Sequence, residues 1–113
     1  MENKIFQVDA FTDKPFSGNP AAVCVISSPG EDAWMQNVAR EMNLSETAFL
    51  TSKDRGFELR WFSPTMEVDL CGHATLAAAH ILWEEKFIGP EQQARFYTRS
   101  GLLTVELRNN WII

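Results

Sequence analysis

Between residues 74 and 83 the chain carries only two polar side chains, Thr75 and His80. A helix that is apolar on nearly every side has to be covered on nearly every side. With 113 residues, one small domain has to supply that cover. The pattern therefore predicts a sheet curled around a single central helix. The run is too short to span a bilayer, which takes about 20 apolar residues. Inside a buried helix, His80 reads as a core histidine with satisfied ring nitrogens rather than as a ligand. Glu84, Glu85 and Lys86 mark the wet end of the helix, and Gly89-Pro90 its termination.

The rest of the chain supplies the strands. Residues 4–11 alternate partly, with Ile5, Phe6, Val8 and Phe11 as strand formers, and residues 12–20 form a turn-rich loop holding Pro15, Gly18 and Pro20. Residues 21–26 read as a second, largely buried strand. Ser28-Pro29-Gly30-Glu31 fits a capping box with proline at the first helical position. The helix after it places Trp34, Val38 and Met42 on one face, as an amphipathic helix lying outside the sheet does. Residues 47–51 and 57–63 follow as strands, the second alternating Phe57, Leu59 and Trp61 against Glu58, Arg60 and Phe62 until Pro64 stops it. Residues 95–99 and 102–108 complete the set, joined at Ser100-Gly101. Asn109-Asn110 reads as a hairpin turn into a returning strand at Trp111-Ile112-Ile113. The expected architecture is α+β: a strongly curved, barrel-like mixed sheet around one apolar helix, in a single domain over residues 1–113. The chain stops three residues into its last strand, which suggests a fragment, a truncated frame or an end completed by a partner.

Charge and cysteine usage narrow the setting. A net charge of −5 with no Lys/Arg run argues against nucleic acid or an anionic membrane surface as partner. The N-terminus lacks the basic start and apolar core of a signal peptide, so a cytoplasmic location with Cys24 and Cys71 as reduced thiols is expected.

The residues able to carry chemistry gather where a strand hands over to the apolar helix. Asp69-Leu70-Cys71-Gly72-His73-Ala74-Thr75 sets a thiol, a flexible glycine and an imidazole at a helix N-terminus, where unpaired N–H groups favour an anion. Cys71 and His73 also fit a structural role, as core thiol and helix cap. Glu46, just before an apolar strand, suits a general acid or base if burial raises its pKa, and Asn43-x-x-Glu46 equally fits a capping-type turn. Asn19 follows Ser17-Gly18 in a loop that either contacts a ligand or simply turns. No Cys/His pair has zinc spacing, and no glycine-rich phosphate loop is present.

Four segments in order resemble the phenazine-biosynthesis-like (PhzF-like) isomerase and epimerase family. They are Phe6-Gln7-Val8-Asp9-Ala10-Phe11-Thr12, Phe16-Ser17-Gly18-Asn19-Pro20-Ala21-Ala22-Val23, Asn43-Leu44-Ser45-Glu46-Thr47-Ala48-Phe49 and the segment 69–75, with the linking residues 62–68 also fitting. The likeness covers essentially the whole chain but only about half of a family member. It implies one half of a diaminopimelate-epimerase-like fold, with the active site in a cleft between two similar halves. It further implies cofactor-independent proton transfer on a small carboxylic acid, with no metal, flavin or pyridoxal.

On this resemblance Glu46 is the acid/base carboxylate and His73 a proton-relaying or substrate-contacting group. Gly72, His73 and Ala74 offer N–H groups to a substrate carboxylate, and Asn19 and Thr75 join the substrate-binding set. Cys71 stands where related epimerases hold a catalytic thiol, and is the weaker transfer. The family's second glycine-rich loop and second acid belong to the C-terminal half. A homodimer is therefore expected, two copies imitating the two halves, with Asp69 the candidate to replace the second acid. The competing expectation is a non-catalytic binding module or an inactive remnant.

Overall fold

The computed structural model describes residues 4–10, 19–28, 30–108 and 111–112, and the side chains at 9, 10, 19, 20, 107, 108, 111 and 112 are not among those described. In chain order the elements are β1 (Lys4–Ala10), β2 (Asn19–Ile26), α1 (Asp32–Met42), β3 (Glu46–Lys53), β4 (Gly56–Phe62), β5 (Glu67–Val68), α2 (Gly72–Glu84), β6 (Ala94–Thr98), β7 (Gly101–Val105), β8 (Leu107–Arg108) and β9 (Trp111–Ile112). Phe11, the loop residues 12–18, Pro29, Asn109-Asn110 and Ile113 lie outside the described residues.

Seven strands make one mixed sheet in the order β1-β2-β3-β4-β6-β7, with the short β5 paired to the end of β4. β2 runs parallel to β3 and β4 parallel to β6; the other pairs are antiparallel. The described sheet is open, with β1 and β7 as its edges rather than closing into a barrel. β8 and β9 form a separate two-stranded ribbon, so the strand expected over 102–108 is interrupted at Glu106.

Alternation along each strand sorts the side chains onto two covered faces. Ala21 and Val23 of β2, Ala48 and Leu50 of β3, Leu59 and Trp61 of β4, Phe96 of β6 and Val105 of β7 pack with α2 in the main core. Their neighbours Cys24, Ile26, Phe49 and Phe62 point the other way, onto Met35 and Ala39 of α1. Phe49 meets Phe62 and Trp34 edge-on, at 5.5 and 6.0 Å between ring centroids. Covered on both sides, β3 keeps five successive residues buried, from Thr47 to Thr51.

Four local expectations are corrected. α1 starts at Asp32 with Glu31 as its N-cap and no side-chain cap bond, so Ser28-Pro29-Gly30-Glu31 is not a capping box. Asp32 turns to Arg60 instead. The buried face of α1 centres on Met35 and Ala39, with Trp34 at its exposed rim. Asn43 ends α1 in the left-handed region (φ 53°), and Glu46 opens β3, so that pair caps no helix start. α2 ends at Glu84, before Gly89-Pro90, with Lys86 at φ 61° and the N–H groups of Phe87 and Ile88 both reaching Leu82 O.

The largest correction concerns α2 itself. Ala74, Thr75, Ala77, Ala78, Ala79, Ile81 and Leu82 are buried, but Gly72, His80 and Glu84 are exposed and Leu76 is only half-buried. These four positions recur every fourth residue and form one solvent stripe, the side that an open sheet leaves uncovered. His80 is therefore a surface histidine, its Nε2 3.8 Å from Glu84 Oε2.

Beyond α1, an ion network crosses the outer face of the sheet. Arg60 donates two bonds of 2.8 Å to Glu67 and one of 2.9 Å to Asp32, and Arg99 reaches Glu67 at 2.9 Å. The Glu67 side chain is only 15% exposed, so its bidentate pair is the valuable one, whereas Asp32 lies in solvent. The Arg60 hydrogen bonds hold the Glu67 carboxyl below its ordinary pKa of 4.5. Stability from the pair is then present above pH 4.5 and lost as pH falls through the lowered value. Arg60→Met is expected to cost about 1–3 kcal/mol in urea unfolding at pH 7, the difference fading in acid. Asp32→Ala should move the midpoint much less.

Candidate active site

Glu46 is the first residue of β3, beside Ala21 of the parallel strand β2. Two and four residues on, Ala48 and Leu50 face α2, and the pleat puts Glu46 on that same side, at the sheet end where α2 begins. Cys71 is the N-cap of α2 in an extended conformation (φ −144°, ψ 103°), without a side-chain cap bond. Its sulfur lies 3.3 Å from His73 Nδ1. Glu46, Cys71 and His73 thus form one cluster, close enough for their charges to act on each other: His73 favours the Glu46 carboxylate, and Glu46 disfavours a Cys71 thiolate.

Burial dominates the electrostatics. Partial burial raises the Glu46 pKa above 4.5, with the His73 charge opposing the rise. Glu46 Oε2 and His73 Nε2 are both buried, and neither has a hydrogen-bond partner among the described residues. Buried polar atoms are normally paired, so two such atoms at this turn make it a candidate for function; among the described residues Thr47 Oγ1 and Arg95 Nε are the others. The Cys71 thiol is also pushed up by burial, against the opposing pull of the backbone at the first turn of α2.

The remaining candidates divide. Gly72 is exposed, with open space where a Cβ would stand, so ligand can approach the backbone there. Ala74 is fully buried and able to offer only its N–H. The Thr75 hydroxyl donates to Cys71 O at 2.8 Å and accepts from the Trp61 indole at 3.0 Å, a buried chain that the sequence reading did not anticipate. Asn19 opens β2 at the same end of the sheet, and its side chain lies outside the described residues. Asp69 is exposed and faces Arg99 at 3.6 Å. Cys24 is a free buried thiol on the α1 face, pushed up to about 11 by burial and remote from this chemistry. Among the described residues no three His, Cys, Asp or Glu side chains are grouped to hold a metal ion, and no helix is long and apolar enough to cross a membrane.

The site thus sets a carboxylate at a strand start of an open mixed sheet against an imidazole and a thiol on a helix N-terminus. Residues 8–111 match the family model described as phenazine biosynthesis-like protein, PhzC-PhzF, and the chain belongs to that family. An uncharacterized isomerase of Halalkalibacterium halodurans is 61% identical over 112 residues, which is 99% of this chain and 42% of that protein. The crystal structure of a PhzF-family phenazine biosynthesis protein from Enterococcus faecalis superposes with a TM-score of 0.91 at 44% identity, covering 99% of this chain and 43% of that one. A hydroxyproline epimerase from Agrobacterium vitis, at 15% identity and a TM-score of 0.68, shares the fold over 94% of this chain and 38% of its own. The chain thus spans less than half the length of the relatives it matches, corresponding to their N-terminal part.

Because the folded-state pKa of Glu46 is raised, its contribution to stability is fully present below pH 4.5 and is lost as pH rises through the folded value. Glu46→Gln removes that penalty. The variant is expected to melt higher than the unmodified protein at pH 7 and to lose the advantage near pH 4, as read by differential scanning calorimetry across pH.

Proposed function

We propose that this chain carries the acid/base half of a cofactor-independent isomerase site. The site moves a proton at carbon next to the carboxylate of a small acid. The observation that carries the reading is the half-buried Glu46 carboxylate, whose Oε2 is buried with no hydrogen-bond partner among the described residues, as is Nε2 of His73 at the N-terminus of α2. Ionised Glu46 takes the proton from carbon, and its raised pKa strengthens it as a base while keeping the acid form accessible for the return step. Negative charge spreads onto the substrate carboxylate, where the N–H groups of Gly72, His73 and Ala74 and the helix dipole hold it. A carboxylate is a better acceptor than a neutral thiol, and Cys71 as N-cap takes no side-chain cap bond, so a bound carboxylate competes well for these donors. His73 relays the proton, Cys71 assists, and Asn19 and Thr75 border the substrate.

The reading includes a cytoplasmic setting and completion of the cleft by a second copy of the chain. A more strongly curved, barrel-like sheet around α2 belongs to the same proposal. It is supported by the way β2, β3, β4, β6 and β7, with Phe6 and Val8 of β1, all lend side chains to the α2 core.

Incubating the protein in D2O with a panel of small amino and hydroxy acids, read by mass spectrometry, tests the chemistry. At least one acid should gain deuterium at carbon, and Glu46→Gln should slow that exchange by about 100-fold or more. Absence of exchange from the whole panel would contradict the proposal. In sedimentation velocity the active species should be a dimer; a stable monomer at micromolar concentration argues against completion by a second copy.

A further inference from the structure

Trp61 is 1% exposed and sits in the α2-side core, across β4 and β3 from Ala48, two residues along the strand from Glu46. A buried indole N–H requires an acceptor, and leaving it bare is costly. The acceptor is Thr75 Oγ1 at 3.0 Å; the Thr75 hydroxyl then donates to Cys71 O at 2.8 Å, which also receives the Thr75 backbone N–H at 3.1 Å. A hydroxyl bonded back to the carbonyl four residues earlier is a common helical habit. Here the carbonyl belongs to the N-cap residue, and the hydroxyl is itself anchored on a strand.

We infer that Trp61 and Thr75 are positioning residues, which hold the first turn of α2 at a fixed offset from the strand pair carrying Glu46. The chain Trp61 Nε1–H, Thr75 Oγ1–H, Cys71 C=O orients the Cys71–Gly72 peptide. With it is set the sulfur, 3.3 Å from His73 Nδ1 at the helix N-terminus. The other side of the turn gives no such hold, because Gly72 is exposed and meets nothing where a side chain would stand. The lead-in is anchored separately by Ser100 Oγ donating to Asp69 O at 2.7 Å. Only the Trp61–Thr75 chain ties the catalytic turn to the sheet from within the core, among the hydrogen bonds of the described residues. This inference deepens the proposed isomerase site and rests on it for its functional meaning, but its test does not need turnover.

The readout is the pH profile of Cys71 alkylation by iodoacetamide, followed by peptide mass spectrometry so that buried Cys24 is scored separately. Thr75→Val keeps the side-chain shape and removes the link. With the turn released, the sulfur loses its place beside His73 Nδ1 and at the helix N-terminus, and the midpoint for Cys71 should rise by about half a pH unit or more. Thr75→Ser, which retains the hydroxyl, should restore the original midpoint, and Trp61→Phe should reproduce the Thr75→Val shift. A folded Thr75→Val protein with an unchanged profile would overturn the inference, as would failure of Thr75→Ser to rescue. If neither Thr75→Val nor Trp61→Phe folds, exchange of the Trp61 indole N–H in the unmodified protein decides. Protection comparable to core amides supports the link, and exchange at the rate of a surface indole overturns it. A shifted alkylation profile in a protein that incorporates no deuterium would sink the isomerase reading and leave the positioning role standing.

Discussion

The close contact of α2 with the sheet is the constraint on which the rest of the molecule depends. Ala74, Ala77, Ala78 and Ala79 are buried in the helix, and the facing strands answer with Ala21 and Ala48. Small residues on both sides let the helix backbone come near β2 and β3, while Trp61, Leu50, Leu59, Phe96 and Leu82 fill the space around it. Packing this dense transmits position, since a buried helix cannot slide without opening voids. The start of α2 is thereby delivered to the end of the sheet where β3 begins. Glu46 meets the Cys71-Gly72-His73 turn for that reason.

The same packing makes the site energetically unusual. A carboxylate and an imidazole each keep a buried atom without a hydrogen-bond partner among the described residues, as Thr47 Oγ1 and Arg95 Nε do. The ion network of Arg60, Glu67, Asp32 and Arg99 lies on the opposite face of β4 and serves to fasten β5 and α1 to the sheet. Charge is thus used in two ways. On the outer face it is paired and hydrogen-bonded, and its carboxylates titrate low. At the start of α2 it is left unpaired, and the Glu46 carboxylate titrates high. A group held in a form that burial disfavours is a burden on stability, tolerated where chemistry needs it.

Much of this was legible in the sequence because both helix and strand periods are strong. The alternation of Phe57, Leu59 and Trp61 against Glu58, Arg60 and Phe62 foretold a strand, and the apolar run 74–83 foretold the central helix. What failed were features decided by tertiary contact. His80 looked buried because its neighbours are apolar, yet an open sheet leaves the 72-76-80-84 stripe to solvent. Ser28 and Glu31 match a capping box, yet the charge that settles the start of α1 is Asp32, committed to an arginine 28 residues away. At the site, the ordered motifs pointed to Glu46, Cys71 and His73, and the fold brings them together. The Trp61–Thr75 link gave no sequence signal, since a strand tryptophan and a helix threonine are each explained locally without the other.

The central claim is that Glu46 is a half-buried carboxylate poised for proton transfer near His73, and direct titration of that group tests it most closely. In protein labelled with 13C at glutamate carboxyls, with Glu46→Gln used to assign the resonance, the Glu46 carboxyl should titrate above its ordinary value of 4.5. A Glu46 resonance that titrates at or below 4.5 would contradict the account.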